Sequence, residues 1–574
     1  MIRNILENSI KTALWSLKID KTNPAINLEH PEELSNGDYS TNIAMVLAKQ
    51  VSQNPRELAE KIVEEILERK PEEISKVEVA GPGFINFYLS AGFFVEQSKE
   101  ILKAGEKFGL NKILKGEKTV VEYTDPNPFK EFHIGHLMSN AIGESIVRIT
   151  EANGAKVMRA CYQGDVGLHV AKAIYGIMIL QPNIDKLFSD KSFTASSLGK
   201  AYAYGTEAYE EDPGAKKDIL ELNKNIYDGS DPLANKIYDW GRKISLEYFK
   251  NIYKILGTKF DEYFFESQVE KFGKEIVEKN IGKVFEKSEG AIIFKGENYG
   301  LHTRVFINKE GLPTYEAKEL GLAKIKYNET KYDKSIVITG NEVNEYFKVL
   351  LKAMSLIYPE LASKTFHVSH GMLRLPEGKM SSRTGKVITA ISLLDTIKAK
   401  ILEKMSDRDM NKKEKEEIAE KIAVGALKYS ILKQLNGKDI IFDFDKSISF
   451  EGDSGPYLQY SYARARSILR KAEEEKIKKV DWKKILHEKE ENHLEKILYR
   501  FPEVVVRAGN EYSPHYIATY LIELASSFNS FYAQGKIVDK ADIKSFYKVA
   551  LSEAFSIVLK NGLNLLGIQA PEKM

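Results

Sequence analysis

The spacing of apolar residues near the start of the chain predicts a small module of helices and strands. Between residues 55 and 69, apolar side chains recur at the interval of one buried helical face, at Leu58, Ile62, Ile66 and Leu67. Asn54 and Pro55 precede them and suit the N-cap and first turn of that helix. Two short apolar runs, VEVA (77–80) and INFYL (85–89), predict strands joined by a Gly-Pro-Gly turn.

A strand–helix–strand pattern follows and predicts a parallel sheet. TVVEY (119–123) has the apolar composition of a buried strand, and a loop rich in Pro and Asn separates it from a long helix between about 133 and 153. KVMRACYQGD (156–165) then predicts a second strand that runs into a loop. Because strands joined through a helix lie parallel in one sheet, we expect an α/β domain.

The remaining pattern divides the chain into three predicted domains. Residues 180–290 are charged and irregular, and we interpret them as a mainly helical insertion, after which strand-like runs return at AIIF (291–294) and SIVITG (335–340). From about residue 400 the apolar spacing is almost wholly helical. We therefore expect a small α+β domain in 1–112, an α/β domain in 113–400 and an all-α domain in 401–574.

Composition and charge narrow the class of protein. The chain has 574 residues, and its 84 Lys and Arg against 82 Asp and Glu give a net charge of +2, which does not indicate a generally basic nucleic-acid binder. The one cysteine, Cys161, excludes a disulfide framework or a cysteine-rich zinc site, so we expect no structural metal. No apolar run reaches about 18 residues and the N-terminus lacks the compact apolar core of a signal peptide, which predicts a cytoplasmic protein without membrane attachment.

The motif FHIGH (132–136) lies at the predicted start of the helix that follows the first strand of the α/β domain. Backbone N–H groups at a helix N-terminus attract anions, and His133 and His136 are three residues apart, so both imidazoles can face a phosphate. Gly135 leaves room for a flat ligand to approach the backbone. Two surface histidines at an ordinary helix cap are the alternative interpretation.

A second motif, GKMSSRTGK (378–386), has the composition of a cationic loop. Glycine stands at each end, and Lys379, Arg383 and Lys386 supply three positive charges that could neutralise a polyphosphate. The spacing of a P-loop is absent from the chain. A solvated basic turn is the alternative interpretation.

Together, these two motifs resemble the HIGH and KMSKS signatures of the class I aminoacyl-tRNA synthetases. Further segments are similar to the arginyl-tRNA synthetases of that class: GDYSTNIAMVLAK (37–49), VEVAGPGFINF (77–87), EYTDPN (122–127), QGDVG (163–167), PTYEAKELG (313–321), SHGMLRL (369–375), FEGDSGPYLQYSYARARSIL (450–469) and NGLNLLGIQAPEKM (561–574). The resemblance implies a Rossmann-like catalytic domain, an N-terminal domain that contacts tRNA and an α-helical anticodon-binding domain.

The resemblance also implies a reaction and the residues that perform it. The expected reaction activates L-arginine with ATP to arginyl-adenylate and transfers the arginyl group to the 3′ end of tRNA(Arg), with activation waiting for tRNA to bind. The expected catalytic residues are Lys130, His133, His136, Lys379 and Arg383. The residues expected to bind ATP are His133, Gly135, His136, Gly371, Met372, Lys379 and Ser381.

The expected arginine pocket combines carboxylates with an aromatic surface, which suits a planar cation with five donors. Its residues at family positions are Glu122, Asp125, Asn127, Asp165, Tyr315, Glu319 and Glu342. Asp125 stands where the family more often has Ser, Glu319 where Asp is usual, and Glu342 near a usual Gln. The basic loop reads KMSSR, so we expect Arg383 and Lys130 to share the phosphate charge with Lys379.

Contacts with tRNA are expected in both terminal domains. Phe84 and Asn86 resemble positions that touch the outer corner of tRNA. Tyr457, Tyr460 and Arg464 recur at helical spacing, so that aromatic rings can stack on the unpaired bases of the anticodon loop and the guanidinium can contact a phosphate or a base edge. An amphipathic core helix with buried tyrosines is the alternative.

The expected cofactors are therefore ATP and Mg²⁺, and the expected partners are L-arginine and tRNA(Arg), with the chain acting as a monomer. Two other functions remain open. A class I ligase for another cationic amino acid, lysine, would also need an acidic pocket. A tRNA-binding paralogue without catalysis is the second, although the intact His133, His136 and Lys379 argue against it.

Overall fold

The chain folds into two compact units, each assembled from separate segments. The structure is a computed structural model that describes residues 2–19, 24–181, 183–190, 192–375, 388–477 and 492–574. The first unit comprises Met1–Phe108, Arg464–Phe501 and Glu523–Val558, and the second comprises Gly109–Ala463, Pro502–Ile522 and Leu559–Met574. The domain boundaries expected from the sequence stay a prediction.

Helices predominate, and the strands in the described ranges fall into four sheets. The strands are β1 Tyr39–Thr41, β2 Ile74–Ala80, β3 Phe84–Leu89, β4 Lys118–Glu122, β5 Lys156–Gln163, β6 Glu262–Phe265, β7 Glu286–Ser288, β8 Ala291–Phe294, β9 Arg304–Ile307, β10 Lys334–Gly340, β11 Thr365–His370, β12 Leu373–Arg374 and β13 Ile440–Ile441. The helices up to the middle of the chain are α1 Ile2–Ser16, α2 Ile43–Val51, α3 Pro55–Glu68, α4 Ala91–Ala104, α5 Ile134–Ala152, α6 Leu168–Leu180, α7 Ile184–Leu187, α8 Ala195–Glu211, α9 Pro213–Asp228, α10 Pro232–Leu256, α11 Glu266–Lys279, α12 Tyr315–Thr330, α13 Asn344–Ile357 and α14 Pro359–Lys364. The later helices are α15 Ala390–Lys404, α16 Lys412–Leu432, α17 Phe444–Ser447, α18 Gly455–Glu474, His493–Leu498, Phe501–Asn510, His515–Ala533 and Ser545–Leu565.

The first unit contains a three-stranded antiparallel sheet in the order β1-β3-β2, with helices packed on it. The predicted helix α3 is confirmed, and the Asn54 side chain accepts a hydrogen bond from the Arg56 N–H at 2.9 Å. Ile62 and Ile66 lie in the core, but the prediction that Leu67 is buried with them is wrong, because its side chain is 47% exposed. Leu67 follows Ile66 directly and therefore turns to the adjacent, solvated side of the helix.

The second unit is built on a five-stranded parallel sheet in the order β11-β10-β4-β5-β6. The predicted strand–helix–strand unit is confirmed as β4, α5 and β5. The prediction of a mainly helical insertion at 180–290 holds for α7 to α11, but it missed two short strands in this range, the edge strand β6 and β7. Only Phe264 of β6 is buried, so the apolar pattern of this strand was too brief to stand out.

The end of the second unit is attached to helix α5. Ser145 Oγ donates to the carbonyl of Leu565 at 2.9 Å, and Arg148 Nη1 donates to Asn564 Oδ1 at 2.7 Å. The buried Lys428 of α16 donates to the carbonyl of Gly567 at 2.9 Å. Helix α5 is therefore held by residues that follow it by as much as 420 positions. Among the residues that the structure describes, no helix combines the length and apolar character needed to cross a bilayer.

Candidate active site

The carboxyl ends of the parallel strands meet at one edge of the sheet in the second unit. Strand β4 lies between β10 and β5, so the chain leaves β4 toward one neighbour and returns later on its other side. Ligands of open parallel sheets bind at the carboxyl ends of strands where such a change of direction occurs. The loop after β4, the start of α5 and the loop after β5 all lie at this edge.

Two histidines form the N-terminal cap of helix α5. His133 Nδ1 accepts a hydrogen bond from the Gly135 N–H at 3.1 Å, and His136 Nδ1 accepts one from the His133 N–H at 3.3 Å. The two imidazole rings are stacked, with their centroids 3.6 Å apart. A Cβ atom at Gly135 would lie 2.9 Å from His133 Cε1, so only glycine leaves room for this cap.

The protonation state of these histidines follows from their surroundings. Burial, together with the charge of Lys130, lowers the pKa of His133 to about 4. Burial also holds the pKa of His136 well below its ordinary value, and the neighbouring His133 and Lys130 act in the same direction. Both rings are therefore neutral at pH 7. Because each Nδ1 accepts a backbone N–H, each Nε2 carries the proton and is a hydrogen-bond donor.

The segment that follows the basic loop lies against this cap. Thr389 forms an antiparallel bridge with His133, and the Ala390 N–H donates to the carbonyl of Phe132 at 2.9 Å. Lys379, Ser381 and Arg383, which the sequence places in the basic loop, lie outside the described residues.

Gly371 and Met372, expected at the ATP site, follow β11. The Met372 N–H donates to Asp439 Oδ1 at 2.9 Å, and the Ile440 N–H donates to the Met372 carbonyl at 2.8 Å. A Cβ atom at Gly371 would overlap the backbone of Lys438. The glycine is therefore required by close backbone packing, and the Met372 side chain stays 41% exposed.

Carboxyl groups collect between the end of β4 and helix α12. Glu122 Oε2 accepts from Lys326 Nζ at 2.6 Å, and the two side chains are only 2% and 3% exposed. Burial and the charge of Glu122 raise the pKa of Glu319 to about 8 and hold the pKa of Asp125 well above its usual value. Glu122 is thus already paired with a lysine, while Glu319 retains a proton that an incoming cation would displace.

Two side chains of the loop after β4 extend the hydrogen bonding of the sheet. Asp125 Oδ1 accepts from the Tyr162 N–H at 2.7 Å, and Asn127 Oδ1 accepts from the Gly164 N–H at 3.1 Å. Thr124 has a φ of 81°, a strained value for a β-branched residue, and its N–H is held by Ser139 Oγ at 2.9 Å. One oxygen each of Asp125 and Asn127 therefore fixes the loop rather than facing a substrate.

Asp165 is buried among donors of the chain itself. Its carboxylate accepts from Tyr238 Oη at 2.9 Å, from the Ser267 N–H at 3.0 Å and from Ser267 Oγ at 2.8 Å. Arg242 Nε lies 3.0 Å from the same group. With these partners and no exposure, Asp165 joins the β5 loop to α10 and α11, and its contact with substrate stays a prediction.

Beside these carboxyl groups lies an open cavity of about 440 Å³. Tyr315, at the start of α12, lines it and is 59% exposed. Three of the lining residues are lysines, Lys130, Lys172 and Lys318, and the last pairs with Glu266 at 2.9 Å. Lys130 Nζ lies 4.9 Å from the centroid of the Tyr202 ring, another lining residue. The cavity therefore offers cations and aromatic surface to an anionic, aromatic ligand.

Glu342, expected in the arginine pocket, is exposed and lies just after β10. Its carboxylate folds over Gly340, where a Cβ atom would overlap it. In the described ranges, no three His, Cys, Asp or Glu side chains are grouped so as to hold a metal ion.

Comparison with protein families gives three matches that together span most of the chain. Residues 97–444 match "tRNA synthetases class I (R), catalytic domain", residues 458–574 match "DALR anticodon binding domain" and residues 2–89 match "Arginyl tRNA synthetase N terminal domain". The chain belongs to the class I arginyl-tRNA synthetases. Among curated relatives of this synthetase family, the arginine–tRNA ligase of Clostridium kluyveri is 33% identical over 559 residues, covering 95% of this chain and 96% of the relative. That of Clostridium perfringens is 32% identical over 558 residues with the same coverage.

Solved structures of the synthetase family share the fold. The arginyl-tRNA synthetase of Thermus thermophilus superposes with a TM-score of 0.80 at 23% identity, covering the whole of both chains. That of Plasmodium falciparum superposes with a TM-score of 0.76 at 20% identity, covering 100% of this chain and 98% of the other. The predicted fold class and family resemblance are thereby confirmed.

In the N-terminal part of this synthetase, the first unit carries a groove of about 470 Å³ lined by Phe84 and Asn86. Phe84 is 39% exposed, whereas Asn86 is buried and accepts from Ser40 Oγ at 2.7 Å through Oδ1. That bond leaves the Asn86 amide N–H groups as the donors of its side chain. The structure brings the two predicted residues to one groove, and their contact with tRNA stays a prediction.

The predicted anticodon residues lie on helix α18. Tyr457 and Tyr460 are half-buried, and Tyr460 packs edge-on against Phe450 with ring centroids 6.2 Å apart. Arg464 donates to Asn529 Oδ1 and stands 4.9 Å from the centroid of the Tyr532 ring. The tyrosines are thus partly accessible, and Arg464 is oriented by the chain itself.

Sequence reasoning missed several residues of the synthetase cavity. His169 Nε2 donates to the carbonyl of Gly164 at 2.8 Å, and burial lowers the pKa of His169 to about 3. Lys172, Tyr202 and Lys318 also line the cavity. His169 and Lys172 are one helical turn apart on α6, immediately after the QGDVG segment, and this spacing was the available signal.

Proposed function

We propose that the protein is an arginine–tRNA ligase, which activates L-arginine with ATP and transfers the arginyl group to the 3′ end of tRNA(Arg). The observation that carries the proposal is the cluster of carboxyl groups formed by the buried Glu122 and the half-buried Glu319, at the edge of the sheet where the histidine-capped helix α5 begins. The same edge of the sheet thus offers a site for a cation and a site for a phosphate.

The phosphate side of the site needs donors rather than a nucleophile. The arginine carboxylate attacks the α-phosphorus of ATP, and pyrophosphate leaves with the electrons of the broken P–O bond. The Nε2–H groups of His133 and His136 and the N-terminus of α5 are suited to the negative charge that develops on phosphate oxygens. Lys130, Lys379 and Arg383 would add positive charge, and Gly135, Gly371, Met372 and Ser381 would contact the nucleotide.

ATP would enter as its Mg²⁺ complex. Mg²⁺ in such sites is held largely by substrate phosphates and water, with few protein ligands. The metal would polarise the phosphoryl oxygens, while the cap of α5 orients them.

The acidic side of the site would bind the guanidinium. Glu319 supplies a carboxylate and Tyr315 an accessible ring, as a planar cation with five donors requires. Asp125, Asn127 and Glu342 would stand around the backbone groups of the amino acid. Asp165 would act by holding the loop after β5, because its oxygens are engaged by Tyr238 and Ser267.

Transfer requires tRNA at the same edge of the sheet. Phe84 and Asn86 would contact an unpaired nucleotide of the outer corner, and Tyr457, Tyr460 and Arg464 would contact the anticodon loop. We further propose that activation waits for tRNA and that the enzyme acts as a cytoplasmic monomer. Pyrophosphate exchange should therefore require tRNA, and full exchange without it would reject that part of the proposal.

The deciding experiment is aminoacylation of total tRNA with each amino acid in turn. Charging of tRNA(Arg) by arginine alone is the expected result. Charging of tRNA with lysine would show that lysine, and not arginine, is the substrate. Binding of tRNA without charging by any amino acid, under conditions where a relative is active, would favour the non-catalytic alternative.

A further inference from the structure

Tyr162 lies on the same face of the parallel sheet as the buried carboxyl group of Glu122. Strand β4 pairs with β5 so that Glu122 stands opposite Ala160, and Tyr162 follows two residues later. Side chains two residues apart on a strand point to one face of the sheet. On the other side of Tyr162, β6 places Phe264 directly opposite it, and both side chains belong to the core covered by α11 and α12.

The Tyr162 hydroxyl has an unusual environment. The residue is only 8% exposed, and its hydroxyl oxygen has no hydrogen-bond partner among the residues that the structure describes. Burial raises the pKa of Tyr162 well above its ordinary value, and the carboxyl groups of Glu266 and Glu319 act in the same direction. The phenol is therefore neutral and stands close to the carboxyl groups of the proposed arginine pocket.

Other buried tyrosines of the same unit are different. Four of them have a polar partner within the chain: Tyr123 with Glu144 at 2.7 Å, Tyr253 with Cys161 at 3.8 Å, Tyr332 with the carbonyl of Ala323 at 3.5 Å, and Tyr429 with Asp453. Buried phenol groups as a rule find a partner, because an unsatisfied polar group costs free energy. A buried hydroxyl that has no hydrogen-bond partner in the described residues and lies beside a substrate pocket indicates that a ligand supplies the partner.

We propose that Tyr162 is a specificity-determining residue whose hydroxyl oxygen accepts an N–H of the arginine guanidinium. The proposal rests on the proposed function. A guanidinium brings five N–H donors, and Lys326 already engages one oxygen of Glu122. The Tyr162 oxygen supplies an additional acceptor without adding a charge that the buried pocket would have to neutralise.

This assignment predicts an unusual combination of effects. A hydroxyl that is satisfied only by substrate adds nothing to the stability of the free enzyme, so Tyr162→Phe should fold and should melt at the same or a higher temperature. The same change should raise the KM for arginine about tenfold, equivalent to ~1.4 kcal/mol, because a hydrogen bond to a charged donor is lost. The kcat should change by less than about twofold and the KM for ATP should stay constant, since uniform binding of one substrate is removed.

The matched control is Tyr332→Phe, which removes a buried phenol hydroxyl from the same core at a position with a partner in the chain. It should lower the melting temperature and leave the KM for arginine unchanged. Both variants and the wild-type enzyme are assayed by aminoacylation of tRNA(Arg) and by thermal unfolding.

Each outcome decides the proposal. An unchanged KM for arginine in Tyr162→Phe, a loss of folding, or an equal rise in the KM for ATP would overturn it, because the hydroxyl would then serve the structure or the site as a whole. If the wild-type enzyme charges no tRNA with arginine, the proposed function fails. If it does and Tyr162→Phe behaves like wild type, only the assignment of Tyr162 fails.

Discussion

Replacing Lys326 by methionine tests whether the ion pair beneath the pocket is needed by the parallel sheet. Lys326 Nζ lies 2.6 Å from Glu122 Oε2, and both side chains are almost fully buried. Glu122 ends the central strand β4. Methionine keeps most of the length of the lysine side chain but removes its charge, so the substitution leaves a carboxyl group without its cation.

The size of the effect follows from this burial. Removing one partner of a buried ion pair destabilises proteins by about 3–5 kcal/mol, because the remaining charge stays away from water. Since ~1.4 kcal/mol is a factor of ten, the equilibrium for opening this sheet should rise by about 10²- to 10⁴-fold.

Cys161 provides a local probe of that opening. It is the only cysteine of the chain, it is 0% exposed, and it lies on β5 next to β4. A thiol reagent can modify it only when the sheet opens, so the labelling rate under native conditions reports the opening equilibrium. The matched control is Lys279→Met, because Lys279 pairs with Glu275 at 3.2 Å on the surface, where its side chain is 74% exposed.

The control should change the labelling rate by less than about tenfold, since exposed ion pairs contribute about 0–1 kcal/mol. A second substitution, Glu122→Gln in the Lys326→Met background, should recover part of the loss, because it removes the uncompensated charge. Equal labelling rates for Lys326→Met, Lys279→Met and the wild-type enzyme would refute the reasoning.

Three further substitutions test the site and its support. The free-enzyme carboxyl of Glu319 ionises near pH 8 rather than 4.5, so stability should fall as pH rises through this window. A bound guanidinium favours the carboxylate form of Glu319, so the KM for arginine should decrease toward pH 8. Glu319→Gln should flatten the pH dependence of both the stability and this KM. Unfolding and aminoacylation assays at several pH values would measure the two profiles. His136→Ala should slow adenylate formation about 10²- to 10³-fold by removing a donor to the transition state, with tRNA affinity nearly unchanged in a filter-binding assay; unchanged turnover would exclude the catalytic role. Gly143→Ala should lower the melting temperature, because a Cβ atom there would overlap the Tyr123 ring, at a cost of about 1–3 kcal/mol or more, whereas Gly92→Ala, with no backbone nearby, should not.

Local features of the site could be predicted from the sequence, because their chemistry lies within a few residues. The FHIGH motif gave the start of α5 and its two imidazoles correctly, since a helix cap is built from adjacent residues. Their protonation could not be inferred, because it depends on burial by the rest of the unit.

Partners that lie far apart along the chain could not be predicted from the sequence in this way. Glu122 and Asp165, both expected in the arginine pocket, have partners far along the chain. Lys326 lies 204 residues from Glu122, and Ser267 lies 102 residues from Asp165. Neither spacing follows a helical or strand period, so only the folded chain reveals them. The edge strand β6 was missed for a related reason, because four residues carry too little periodicity to separate a strand from the helices around it.

The attachment of the last helical turns to α5 has a consequence for biosynthesis. Ser145 and Arg148 receive their partners, Leu565 and Asn564, only after the ribosome has added more than four hundred further amino acids. The helix that carries the two imidazoles therefore lacks these hydrogen bonds during most of translation. Nascent chains of this enzyme should acquire a fully tethered helix α5 late, and a ribosome stalled before Asn564 should display a second unit that proteases still attack.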